Sequence, residues 1–141
     1  MSRDWTVLGV QEPTRQRVVD SLVATMPHLT LRQGADSNML AVLDDDGTVL
    51  LALELPRLVR VPEEALRLLT GAPVSAPAGT AVPALFAPGG NGHPDDPLWW
   101  QEIHAMGGEP ATDELADRFS HVLAGLCCGV VIAPFADADN V

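Results

Sequence analysis

Glu102 and His104 stand two apart in the segment LWWQEIHA, residues 98–105, the spacing that puts both side chains on one face of a β-strand. A carboxylate and an imidazole on a common face can move a proton between them or offer two ligands to a metal ion. As a metal centre the pair is short of donors. Three or four ligands are required, and His28, His93 and His121 have no ligand-like spacing around it, so neither a metal nor a cofactor is expected. Cys127 and Cys128 offer a thiol nucleophile in principle. They follow a helical pattern, however, and the partial negative charge of a helix C-terminus disfavours a thiolate, so buried structural cysteine is the expectation.

Three other clusters carry less. The run Asp44-Asp45-Asp46-Gly47 lacks the twelve-residue spacing and terminal glutamate of a calcium loop. Asp-Gly between two apolar runs is instead the signal of a hairpin turn. The stretch Gly89-Gly90-Asn91-Gly92-His93 neither follows a strand nor opens a helix and has no lysine, so it forms no phosphate cradle. Arg57, Arg60 and Arg67 could hold a small anion, although pairing with Glu63 and Glu64 accounts for them more simply. No catalytic residue is assigned.

The elements that position these groups follow from hydrophobic periodicity. Trp5 to Val10 reads as a strand, and Pro13 suits the first turn of a helix over Thr14 to Met26, with Val18, Val19, Leu22, Val23 and Met26 on its apolar stripe. Strands are expected at Leu29 to Gln33, Met39 to Leu43 and Val49 to Leu55. The last two are nearly continuous in apolar residues, as strands buried on both faces are. A short helix opens at Pro62. Residues 72–97, with six of the twelve prolines and four glycines, read as an internal loop. Leu98 to Ala105 is a strand, Thr112 a helix N-cap, and Leu115, Phe119, Val122, Leu123 and Leu126 the stripe of the strongest helix, before a last strand at Val130 to Ala133 and a frayed acidic tail over 135–141. The expected fold is one α+β domain over residues 1–141: a mostly antiparallel sheet of five to six strands with two main helices packed on it, in the order β-α-β-β-β-α-loop-β-α-β.

Composition bounds the role. The chain has 141 residues, 47% of them hydrophobic, a size at which one domain buries roughly 68–70% of its unfolded surface. The longest apolar runs fall far short of the ~20 residues a membrane span needs. The N-terminus lacks the pattern of a secretory signal, and two adjacent cysteines offer no disulfide framework, so a cytoplasmic location is expected. All eight basic residues are arginine, and the net charge is −11. Residues 72–141 hold nine acids against Arg118 alone, whereas residues 1–71 balance ten acids with seven arginines. Such a field repels phosphates, which argues against nucleic acid and for a basic protein partner. On this reading Trp99, Trp100, Asp95, Asp96 and Glu102 form the partner-binding surface, the aromatics as anchors and the acids for steering.

The segments Glu54-Leu55-Pro56-Arg57-Leu58-Val59-Arg60-Val61-Pro62-Glu63-Glu64, Arg67-Leu68-Leu69, Trp99-Trp100-Gln101-Glu102 and Gly129-Val130-Val131 resemble a group of uncharacterised small acidic proteins of high-GC actinobacteria. That resemblance implies an accessory or neutralising role near secretion or toxin loci and transfers no site residue. The expected function is a non-enzymatic module of toxin-neutralising or secretion-chaperone type that docks a basic partner such as a secreted toxin or secretion substrate. The alternatives are a small enzyme or ligand-binding domain using Glu102 and His104, and a homodimer that covers a sheet edge or Trp99.

Overall fold

The computed structural model describes residues 3–33, 38–59, 74–75 and 98–134. In chain order these form β1 (Arg3–Gly9), α1 (Arg15–Thr25), β2 (Thr30–Gln33), β3 (Met39–Leu43), β4 (Val49–Glu54), β5 (Arg57–Val59), β6 (Val74–Ser75), β7 (Leu98–Ala105), α2 (Pro110–Leu126) and β8 (Gly129–Ile132). The fold is α+β. One sheet runs β2-β3-β4-β7-β1-β8-β6, with β5 also paired to β7, and every pairing is antiparallel. β5 and β6 add to the strands the periodicity announces. The first is three residues after Pro56, and the second is two residues within the proline-rich stretch, both too short for an alternating pattern. The helix expected from Pro62, the rest of the 72–97 loop and the tail over 135–141 lie outside the described residues.

Local chemistry sets the helix ends. The Thr14 hydroxyl accepts a hydrogen bond from the Arg17 backbone N–H at 3.2 Å, capping α1, and Pro27 follows its last turn. Val18, Ser21 and Leu22 are buried. Val23, expected on the apolar stripe, is 58% exposed instead, and the small Ser21 takes the inward position. α2 begins at Pro110 rather than after Thr112, because proline fits the first helical position without forfeiting a hydrogen bond. Thr112 is therefore buried inside the first turn, and Glu109 is the cap residue. Leu115, Phe119 and Leu123 line the inward face as their four-residue spacing predicts, while Leu126 is exposed.

Both helices pack on one face of the sheet. Trp5 and Val7 of β1, Leu51 and Leu53 of β4, Ile103 and Ala105 of β7 and Val131 of β8 join Val18, Leu22, Leu115, Phe119 and Leu123 in a continuous apolar core. Burying a side chain the size of Phe119 stabilises by about 1.5–3 kcal/mol. The second face holds a smaller cluster of Leu8, Leu98, Val130 and Ile132, with Val59 and Trp100 against it. β3 and β4 are interior to the sheet, but Ala41 and Ala52 on their second face are only half-buried, so burial on both faces is incomplete.

The edge of β7 opposite β1 is shared by two strands. Leu51, Ala52 and Leu53 of β4 pair with Ala105, His104 and Ile103, then Arg57, Leu58 and Val59 of β5 pair with Trp100, Trp99 and Leu98. Between these ladders Glu54, Leu55 and Pro56 oppose only Gln101 and Glu102, a bulge forced where Pro56 has no N–H to give the ladder. The buried Gln101 side chain spans the break by donating to the Glu54 carbonyl.

On the far side of β1, Gly9 faces Gly129 across the β1–β8 ladder. A Cβ on Gly129 would collide with the Leu8 carbonyl oxygen and lie 2.7 Å from Gly9 Cα, both backbone atoms that cannot turn aside. Gly129→Ala is therefore expected to lower the unfolding free energy by about 3 kcal/mol. Urea denaturation measures this, and a loss within experimental error would contradict the packing of β8 on β1.

Candidate functional site

Side chains alternate along β7, so Leu98, Trp100, Glu102 and His104 share the face opposite α1 and α2. The neighbouring strands deliver their own residues to the same face. Asp4 on β1 is directly opposite His104, and Ala52 on β4 is its other neighbour, which places Glu54, two residues further, on that face as well. The expected juxtaposition of Glu102 and His104 is present, and two further acids complete it.

His104 is held at both ring nitrogens. Nδ1 lies 2.6 Å from Asp4 Oδ1 and Nε2 lies 2.8 Å from Glu54 Oε2. Glu102 Oε2 is 3.8 Å from the same Nε2. The Trp100 indole N–H donates to Glu102 Oε1 at 3.1 Å, and the Arg57 guanidinium approaches that oxygen to 3.7 Å while standing over the Trp100 ring. Arg57 thus pairs with Glu102, and its expected partners Glu63 and Glu64 lie outside the described residues. The Asp4 and Glu54 side chains are 56% and 44% exposed, against 20% for His104, so the imidazole is the sheltered centre of a ring of acids.

Their ionisation is interlocked. The Glu54 carboxyl is held below its ordinary value first by a hydrogen bond with Glu102 and then by His104. Glu102 is pushed up, first by the same bond with Glu54 and then by burial, against which the Trp100 N–H works. Burial alone would lower the His104 imidazole, but its bonds to Asp4 and Glu54 overcome that and raise it. The two glutamates are therefore displaced in opposite directions, Glu54 toward its ionised form and Glu102 away from it. The cluster can exchange a proton, bind a cationic group, or ligate a metal ion: donor atoms of Glu54, Glu102 and His104 lie within 4.8 Å of one another.

The other sequence candidates separate from this centre. Trp99 and Trp100 are both half-buried, so neither is the fully buried partner of an exposed one. Trp5 is the tryptophan enclosed in the core, its indole N–H donating to Asp117 at 3.1 Å. Asp95 and Asp96 lie outside the described residues. The Asp44 run is a hairpin turn: Asp44 Oδ1 accepts from the backbone N–H groups of Asp46 and Thr48, and Gly47 has φ 80°. Burial, followed by small opposing and reinforcing effects of Arg17 and Cys128, raises the Cys127 thiol to about 11. Cys128 is exposed rather than buried because it turns the chain out of α2 at φ 54°. Two concavities on the described surface, one beside Arg3, Asp113 and Asp117 and one beside Pro13, Leu40 and Leu55, both lie away from His104.

Sequence reasoning missed Asp4 and Glu54. Each had a signal: Glu54 is the lone charge in the apolar run Val49 to Leu55, and Asp4 sits one position from Trp5 in a strand, hence on its opposite face. Comparison with known proteins adds nothing, as no family model, no curated protein and no solved structure matches the chain.

The raised His104 and Glu102 values give a direction for stability. Each contributes stabilisation that is complete below its ordinary value, 6.5 for the imidazole and 4.5 for the carboxyl, and is lost as pH rises through the raised folded value. The melting temperature of chelator-treated protein is expected to fall as the pH rises above 6.5, the ordinary imidazole value. Given solvent screening, the loss is below about 1 kcal/mol. The same scan on His104→Gln should be flatter, and an equal slope in both would remove His104 as the cause.

Proposed function

We propose that this chain is a non-enzymatic binding module whose sheet face opposite the two helices docks a cationic segment of a partner protein. The observation that supports it is the convergence of Asp4, Glu54 and Glu102 beside the half-buried Trp100, in a chain of net charge −11. An arginine or lysine of the partner would replace Arg57 at Glu102 and share the Glu54 carboxylate. Arg57 is no obstacle, since its side chain is 68% exposed and its contact with Glu102 is long. Trp100 supplies an aromatic face for the incoming cation, as it already does for Arg57. Within this reading, toxin neutralisation and chaperoning of a secretion substrate are the two roles that suit an acidic face and a basic client.

A second reading, an acid–base enzyme centred on Glu102 and His104, draws on the opposite displacement of the Glu54 and Glu102 ionisations. It requires a substrate cavity at the pair.

The docking reading is tested with a partner identified by affinity capture and then purified. Its affinity should fall at least about tenfold between about 50 mM and about 500 mM salt. It should fall by a similar factor when Glu54→Gln and Glu102→Gln are combined in protein of unchanged circular dichroism. Binding that ignores both salt and the double substitution would overturn it. Light scattering on the isolated chain separates this outcome from self-association of two copies.

A further inference from the structure

We propose that Glu54, Glu102 and His104 form a binding site for one divalent transition-metal ion of the zinc class, with Asp4 as the group that orients the imidazole. The inference goes beyond the docking reading and does not rest on it, because the ion is bound by this chain alone.

The donor set is what separates this place from a solvated acidic patch. Zinc takes imidazole nitrogen and carboxylate oxygen at about 2.0–2.2 Å, and tetrahedral geometry then sets neighbouring donors about 3.4 Å apart. From His104 Nε2, Glu54 Oε2 is 2.8 Å away and Glu102 Oε2 is 3.8 Å away, values that straddle this spacing. Glu54 would retreat, and Glu102 advance, by well under about 1 Å. Calcium and magnesium favour six or more oxygen ligands, which three residues with one nitrogen do not provide, whereas imidazole suits zinc and its neighbours.

The surrounding groups are arranged as ligand supports. Asp4 Oδ1 accepts from Nδ1 at 2.6 Å, so that once an incoming ion displaces the Nε2 proton now shared with Glu54, the imidazole is held in the tautomer whose Nε2 lone pair faces the ion. Trp100 occupies Oε1 of Glu102 and thereby turns Oε2 toward His104. Binding would release the proton shared between Glu54 and Glu102, and the two carboxylates then neutralise the ion's charge. The ligands sit on β4 and β7, adjacent interior strands of the sheet, so their positions are set by backbone pairing. Three protein ligands leave a fourth position for water or for a side chain of another molecule. A cationic segment and the ion would compete for the same carboxylates, so metal would weaken docking.

The test is calorimetric titration of chelator-stripped full-length protein with zinc chloride, without any partner. Saturable binding of one ion is expected. His104→Gln and Glu102→Gln should each weaken it at least about 30-fold. Asp4→Asn, a positioning change, should weaken it about 10- to 100-fold in protein of unchanged apo circular dichroism. Cys127→Ser and Cys128→Ser should bind as the parent does. A measurement that needs no variant is the nitrogen NMR of the histidines, in which zinc should shift His104 Nε2 and spare His28. Absence of one-to-one binding, parental affinity in His104→Gln, or loss of binding in a cysteine variant would each overturn the proposal. Failure of the docking test leaves these outcomes unaffected.

Discussion

The pairing of β7 against β1 over seven residues is the constraint from which the remaining features follow. Because side chains alternate strictly along a strand, one register sends Gln101, Ile103 and Ala105 to the helices and Leu98, Trp100, Glu102 and His104 to the other face. A slip by one residue would bury two ionisable groups under Phe119 and expose Ile103. That cost, several kcal/mol for unpaired buried charge, fixes the register more firmly than any local contact. Core and candidate site are thus two faces of one decision.

The bulge between β4 and β5 has the same origin. Pro56 cannot donate to the ladder, so the strand on that edge of β7 breaks and restarts with three residues opposite two. Gln101 fills the gap from the helix side by reaching the Glu54 carbonyl. The break begins just past the β4–β7 pairing, while Glu54 stays paired with Met39 of β3, so regular alternation from Ala52 sets its side chain beside His104.

How far the sequence discloses this depends on the range of the interaction. Glu102 and His104 share a strand, and period two places them together without any knowledge of the fold. The α2 stripe and the Asp44 hairpin are equally local, and both are legible. Asp4 and Glu54 reach His104 from 100 and 50 residues away, through strand order that hydrophobic patterns do not encode. The start of α2 was misread for a local reason: Thr112 is a good cap residue, but Pro110 two positions earlier already satisfies the first turn. Val23 shows the limit of stripe reading, since at the flank of a helical face packing, not hydrophobicity, decides which residue turns inward.

The charge map shows most plainly what topology does to composition. Counted along the chain, acidity concentrates after residue 71, which suggests a partner surface built from the second half. In the folded molecule two of the three acids around His104, Asp4 and Glu54, come from the first half, as does Arg57, which pairs with the third. Antiparallel pairing of β1 and β4 on either side of β7 interleaves the halves, so the linear asymmetry does not become a spatial one there. What attracts a cation at this face is then local: Asp4, Glu54 and Glu102 gather around one imidazole, and a further positive charge there would favour the ionised form of Glu102, which Glu54 and burial disfavour.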